Sequence, residues 1–103
     1  MFTTLQTLLM ATSLINPVAE ATPNFDPRVT CKADASAQNG VPQQTATQCL
    51  SDEDAARAKV RTQWANFNEP LQKRCAAETQ IDGSPSYVEL LICLRLGAGL
   101  SPD

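Results

Sequence analysis

Apolar positions in the second half of the chain recur at helical spacing. Cys49, Ala56, Val60, Trp64 and Phe67 are separated by seven, four, four and three residues, which places them on one face of a helix. Ser51 and Asp54 have the S-x-x-D spacing of a capping box, with Leu50 as a staple residue. A start near Thr45 is the alternative. Acidic Asp52, Glu53 and Asp54 precede basic Arg57, Lys59 and Arg61, an order that complements the helix dipole. Glu53 and Arg57 are also an i,i+4 pair, so the charge run predicts a solvated helix face.

Asn66 to Pro70 interrupts this pattern. Asn68 is the expected cap of a second helix, with Pro70 tolerated in its first turn. There Leu71, Cys75 and either Ala76 or Thr79 face inward, while Glu69–Lys73 and Arg74–Glu78 decorate the outside. Asp82-Gly83-Ser84-Pro85 reads as a turn. Ser86 and Glu89 repeat the capping-box spacing, and Tyr87 to Leu96 forms a third helix with Gly97 as its expected C-cap.

That third helix is apolar nearly all round, relieved only by Glu89 and Arg95. Such a helix is normally buried. In so small a domain two neighbouring helices need not cover every face, so two readings stand: a central core helix, or a partly exposed stripe that binds a partner or a second copy. Tyr87, Leu91 and Leu94 are the candidate interaction surface on the second reading.

The N-terminal part has a different texture. Phe2 to Ile15 is mostly apolar, Asn16-Pro17 breaks any helix, and Ala19-Glu20-Ala21 matches the small-x-small pattern read by signal peptidase. The first basic residue is Arg28, and Thr12 and Ser13 interrupt the apolar run; a short amphipathic core helix is the alternative. The run is too short for a stable membrane span, which takes about 20 residues. Thr22 to Thr30, with Pro23 and Pro27, reads as an extended arm. A short helix over Cys31 to Gln38 would then end at Asn39-Gly40.

The expected organisation is a signal peptide over 1–21, an arm, short helix and loop over 22–48, a helical domain over 49–97 and a C-terminal tail over 98–103. The fold class is all-α: a small disulfide-stapled three-helix bundle or hairpin behind an extended N-terminal arm.

Composition changes the picture mainly through cysteine. A chain of 103 residues has room for one domain, and domains this small often need staples. Cys31, Cys49, Cys75 and Cys93 are even in number, and their successive gaps hold 17, 25 and 17 residues. Zinc ligands usually pair two to four residues apart, and a C-x-x-C redox motif is missing, so two disulfides in an exported protein fit better than a metal site. Four cysteines allow three connectivities. Cys75 and Cys93 are equidistant from Ser84, and Cys31 and Cys49 from Gly40, which favours 31–49 and 75–93 across the two turns. Each such loop is worth about 3 kcal/mol in the chain-entropy account.

The run from Cys49 to Arg57, then Gln63-Trp64, Phe67 and Arg74-Cys75, followed by Pro85 to Leu91 and Cys93-Leu94, resembles a family of short exported four-cysteine helical proteins of rhizobium-type alphaproteobacteria. About half the chain carries the resemblance, which extends loosely to Cys31. It implies an export signal and a cysteine-bearing helical fold. It brings no activity and no catalytic residue.

Charge and residue types narrow the function classes. The net charge is −3, and a weakly acidic surface argues against non-specific binding to nucleic acid or anionic lipid. The chain has no histidine for general acid–base work and no glycine-rich phosphate loop. Asp52, Glu53 and Asp54 lack the ligand spacing and glycine of a calcium loop. The expectation is therefore not an enzyme, without cofactor or metal. It is a periplasmic or secreted binding or interaction module, with an unknown protein partner or self-association. A secreted effector or inhibitor-like peptide is the alternative.

Overall fold

The computed structural model describes residues 22–35 and 45–103, and every regular element among them is helical. The expected signal segment over 1–21 and the Asn39-Gly40 turn lie outside the described residues.

Helix α1 spans Pro27–Ala35. It begins earlier than the extended-arm reading of 22–30 allows, because Asp26 Oδ1 accepts the Arg28 N–H at 3.0 Å and Pro27 fills the first helical position. The same Asp26 forms an ion pair with Arg28 at 3.1 Å. That hydrogen-bonded guanidinium holds the Asp26 carboxyl below the ordinary carboxylate range.

Helix α2 spans Ala46–Gln63, capped by Thr45, whose side chain accepts the Gln48 N–H at 3.1 Å. The earlier start is thus the one observed. Ser51 and Asp54 lie inside the helix and cap nothing, so the boundary expected at residue 49 moves to Ala46. One 3-10 turn, Trp64–Asn66, follows. The Trp64 carbonyl accepts both the Phe67 N–H at 3.1 Å and Gln72 Nε2 at 2.7 Å, which braces the end of this turn.

Helix α3, Glu69–Glu78, starts as expected: Asn68 Oδ1 accepts the Leu71 N–H at 2.9 Å, and Pro70 sits in the first turn. Glu69 and Lys73 pair at 2.8 Å across one helical turn, and the hydrogen bond from Lys73 lowers the Glu69 pKa. Ser84 N–H bonds Asp82 Oδ1 at 3.0 Å in the turn that follows.

Helix α4 spans Tyr87–Gly97, and Ser86 Oγ accepts the Glu89 N–H at 3.2 Å. The reciprocal half of the capping box is not made by Glu89. The Ser86 N–H goes to Thr79 Oγ1 at 2.9 Å instead, and Glu89 turns toward the same threonine. At the other end Gly97 is a helix residue rather than the cap. Gly99 takes φ +79°, its N–H bonds the Leu96 carbonyl at 3.0 Å, and Leu100 N–H bonds the Arg95 carbonyl at 2.8 Å. Those two bonds make a Schellman motif, in which the left-handed residue comes after the cap.

The relative directions of the helices follow from their contacts. Thr79 meets Glu89, Cys75 meets Cys93, and Leu71 abuts Gly97, so α3 and α4 run antiparallel. Glu53 meets Tyr87 and Gln63 meets Arg95, so α2 and α4 run parallel. Helix α1 packs on α2. Between them lies one core of Phe25, Ala56, Val60, Trp64, Phe67, Leu71, Cys75, Tyr87, Leu90, Leu91 and Leu94. Cys49, Ala56, Val60, Trp64 and Phe67 are all buried as expected, though Trp64 and Phe67 fall in and just after the 3-10 turn; Leu71 and Cys75 on α3 and its cap Thr79 are buried too.

The cysteines fall into the two pairs that their positions about the turns favour. Cys31 and Cys49 have sulfurs 2.10 Å apart, and Cys75 and Cys93 are 2.06 Å apart. The result is a small helical domain with two disulfides, one joining α1 to α2 and the other α3 to α4.

Candidate functional site

Two features of α4 invite a functional reading: the polar knot at its N-terminus and the apolar positions on its outer face. The knot is built from Glu53. Cys49, Glu53, Ala56 and Val60 are spaced four, three and four residues apart, so Glu53 sits on the buried face of α2 and is only 2% exposed. This corrects the solvated face expected for the charge run at this position. Glu53 Oε1 accepts the Tyr87 N–H at 2.8 Å, and Oε2 accepts the Ser86 hydroxyl at 2.6 Å and the Val88 N–H at 3.3 Å. A carboxyl group at a helix N-terminus meets both the orphan N–H groups and the positive end of the dipole. Arg57 does not answer Glu53 along the helix; its guanidinium lies 5.8 Å over the Tyr87 ring.

Tyr87 extends the knot to the N-terminal arm. Its hydroxyl accepts the Phe25 N–H at 2.8 Å and donates to the Pro23 carbonyl at 3.0 Å, while the two rings sit 5.0 Å apart. Thr30 Oγ1 donates to the Pro85 carbonyl, tying α1 to the residue just ahead of the cap. The hydrogen-bonding groups of Glu53, Ser86, Tyr87 and Thr30 have structural partners, while the buried Nε of Arg57 has no hydrogen-bond partner. The knot positions the start of α4 and holds the arm against it.

The outer face of α4 is different. Tyr87, Leu91 and Leu94, expected as an interaction surface, are buried in the core; of the three, only Leu91 borders the groove between α2 and α4. They lie on the stripe that faces α2 and α3, because positions 87, 91 and 94 are four and three apart. The exposed apolar residues of α4 are Ile92, at 38%, and Leu96, at 55%, one turn apart on the same side; Leu100 beyond the Schellman turn is exposed too. Sequence reasoning missed them within a helix that is apolar all round. The signal was available: 92 and 96 lie off the 87-90-91-94 stripe.

Beside Ile92 runs a groove of about 290 Å³ between α2 and α4. Ala55, Val88 and Ile92 give it apolar walls, and Asp52, Lys59 and Asp103 stand around it. Arg95 fixes the segment after α4, with Nε donating to the Ser101 carbonyl at 2.6 Å and Nη1 to Gln63 Oε1 at 2.7 Å. Among the described residues no group of three or more His, Cys, Asp and Glu side chains is placed to hold a metal ion. No helix among them is long and apolar enough to cross a membrane.

Fold and site define the class: a small helical domain stapled by two disulfides, with an apolar outer face on its last helix. No family model, no curated protein and no solved structure matches the chain.

Proposed function

We propose that this chain is an exported, non-enzymatic interaction module that engages a protein partner through the outer face of α4. The observation that carries the reading is the exposure of Ile92 and Leu96 on a helix that already fills the core with its other side. Exposed apolar residues grouped beside a groove mark interaction sites more often than isolated ones do. Apolar walls with charged residues around them suit an amphipathic helix of a partner, whose apolar face enters while its polar edges meet the charges. Export is supported by the two disulfides, which persist in oxidising compartments, and by the Ala19-Glu20-Ala21 pattern.

Site-specific photo-crosslinking in the native host tests the reading. A photoreactive residue at Leu96 is expected to yield one adduct of defined mass, lost when Ile92→Asp is added. The same probe at Lys73 on α3 should not yield it. Identical adducts from both positions would remove the α4 face as the site. An adduct of twice the chain mass alone would replace the foreign partner with a second copy.

A further inference from the structure

The two disulfides differ in how far a dissolved reactant can reach them. Cys31 and Cys49 are 2% and 3% exposed, even though Cys49 borders a groove with Thr30, Asp52 and Ser86. In the second bridge Cys75 is 0% exposed, but Cys93 is only partly buried. It opens on a cavity of about 120 Å³ lined by Cys75, Glu78, Thr79 and Glu89. Glu78 Oε2 lies 3.3 Å from Cys93 Sγ, while the other oxygen of Glu78 is 3.9 Å from Arg74. Cys93 is therefore the less buried end of this bridge, beside two carboxyl groups, one of which also faces Arg74.

We propose that Cys75–Cys93 is a thiol–disulfide exchange site selective for cationic thiols, with Glu78 and Glu89 supplying the selectivity. The attacking species is a thiolate, and it bonds to the sulfur it can reach, Cys93 Sγ. The Cys75–Cys93 bond breaks as the new sulfur–sulfur bond forms. Cys75 departs with the electron pair and takes a proton from water. A second thiol of the same class, as thiolate, attacks the mixed disulfide at the sulfur of the first. Cys93 leaves as thiolate, and the small symmetric disulfide diffuses away. The protein bridge gains two electrons and the two small thiols lose them. The first step loosens the covalent tie between α3 and α4 beside the Thr79–Ser86 hydrogen bond, while Cys31–Cys49 stays closed.

The selectivity is electrostatic. A thiolate approaching Cys93 brings negative charge to within a few ångströms of Glu78. An ammonium on the same small molecule offsets that repulsion, and a second carboxylate on it doubles the conflict. At the high effective dielectric of a surface cleft, one such charge is worth about a three- to tenfold change in rate.

The test uses the oxidised full-length protein at low salt. It is exposed to cysteamine, 2-mercaptoethanol and 3-mercaptopropionate at matched thiolate concentrations, and the reaction is quenched by alkylation. No Lys or Arg lies between residues 75 and 93, so both cysteines of this bridge fall in one tryptic peptide, whereas Cys31 and Cys49 fall in two. Labels are expected at Cys75 and Cys93 before Cys31 and Cys49 with every reagent. Cysteamine should outpace 3-mercaptopropionate by about tenfold, and Glu78→Gln should shrink that ratio by about threefold or more. Glu78 is exposed on α3, so this variant keeps the core. Simultaneous opening of both bridges, earlier opening of Cys31–Cys49, or a ratio unmoved by Glu78→Gln would each overturn the proposal.

Discussion

The Glu53 carboxyl group accepts the Tyr87 backbone N–H at 2.8 Å, joining the middle of α2 to the first residue of α4 across 34 positions of sequence. With Ser86 and Val88 on the same group, one side chain terminates three donors at a buried helix start. Glu53→Ala leaves those donors without their acceptor at a largely buried helix start. Bonds to a charged group contribute about 1.5–3 kcal/mol each, and the unmet donors add their desolvation cost, so a loss of about 3 kcal/mol or more is expected. Glu53→Gln keeps an acceptor for Tyr87 but sets an amide N–H against Val88, and about half that loss should follow. Urea denaturation with an unchanged m-value checks both. Equal stability of Glu53→Ala and the parent would refute the role.

Tyr87 is expected to matter through its hydroxyl as well as its ring. Tyr87→Phe keeps the packing against Phe25 and removes the bonds to Phe25 N–H and the Pro23 carbonyl. A loss of about 1–2 kcal/mol is expected, since the Phe25 N–H is left buried and unpaired. Amide exchange at Phe25 should rise while that of α3 is unchanged. Uniform acceleration across all helices would instead mean that the arm is part of the global folding unit.

Glycines two residues apart near the C-terminus do different work. A Cβ on Gly97 would stand 2.4 Å from Leu71 Cδ1, a conflict that a buried leucine must relieve by moving. Alanine gains about 1 kcal/mol of helix propensity, against a typical overpacking cost of about 1–3 kcal/mol. A net loss of about 1 kcal/mol is expected from Gly97→Ala, and it should vanish when Leu71→Ala is already present. Gly99→Ala meets nothing but must hold a positive φ, and a similar loss there should be indifferent to Leu71. Thermal denaturation of the double-mutant cycle separates the two mechanisms.

Each disulfide closes a loop of 18-residue separation, so the chain-entropy account assigns each about 3 kcal/mol. Replacing either pair by alanine should cost that much. The measurement is the denaturation midpoint of each double variant under oxidising conditions. Indifference to one replacement would mean that its loop is already ordered in the unfolded chain.

Much of this architecture is legible in local chemistry. Asn68 with Pro70, and Ser86 ahead of a continuous apolar run, mark helix starts because a short polar side chain there answers orphan N–H groups. The cysteine pairing follows from the equal spacing of Cys75 and Cys93 about Ser84 and of Cys31 and Cys49 about Gly40. The polar knot is not legible in the same way, because Glu53 is surrounded in sequence by charged neighbours and differs from them only in its register with Cys49 and Ala56. Its partners, Ser86 and Tyr87, are more than thirty residues away, beyond the reach of any local rule. Gly97 misleads for a related reason: a glycine near a helix end suggests a cap, while the leucine that requires it lies on another helix. On α4 the apolar count obscures its geometry. Tyr87, Leu91 and Leu94 fill the core, and Ile92 and Leu96 are left facing out.

Mass spectrometry of the protein isolated without reduction from its native host tests most directly the account of an exported, twice-stapled helical domain. The expected result is an N-terminus at Thr22, a mass four hydrogens below the reduced form, and peptides linked 31–49 and 75–93. An intact Met1 with four alkylatable thiols, recovered from the cytoplasm, would contradict it.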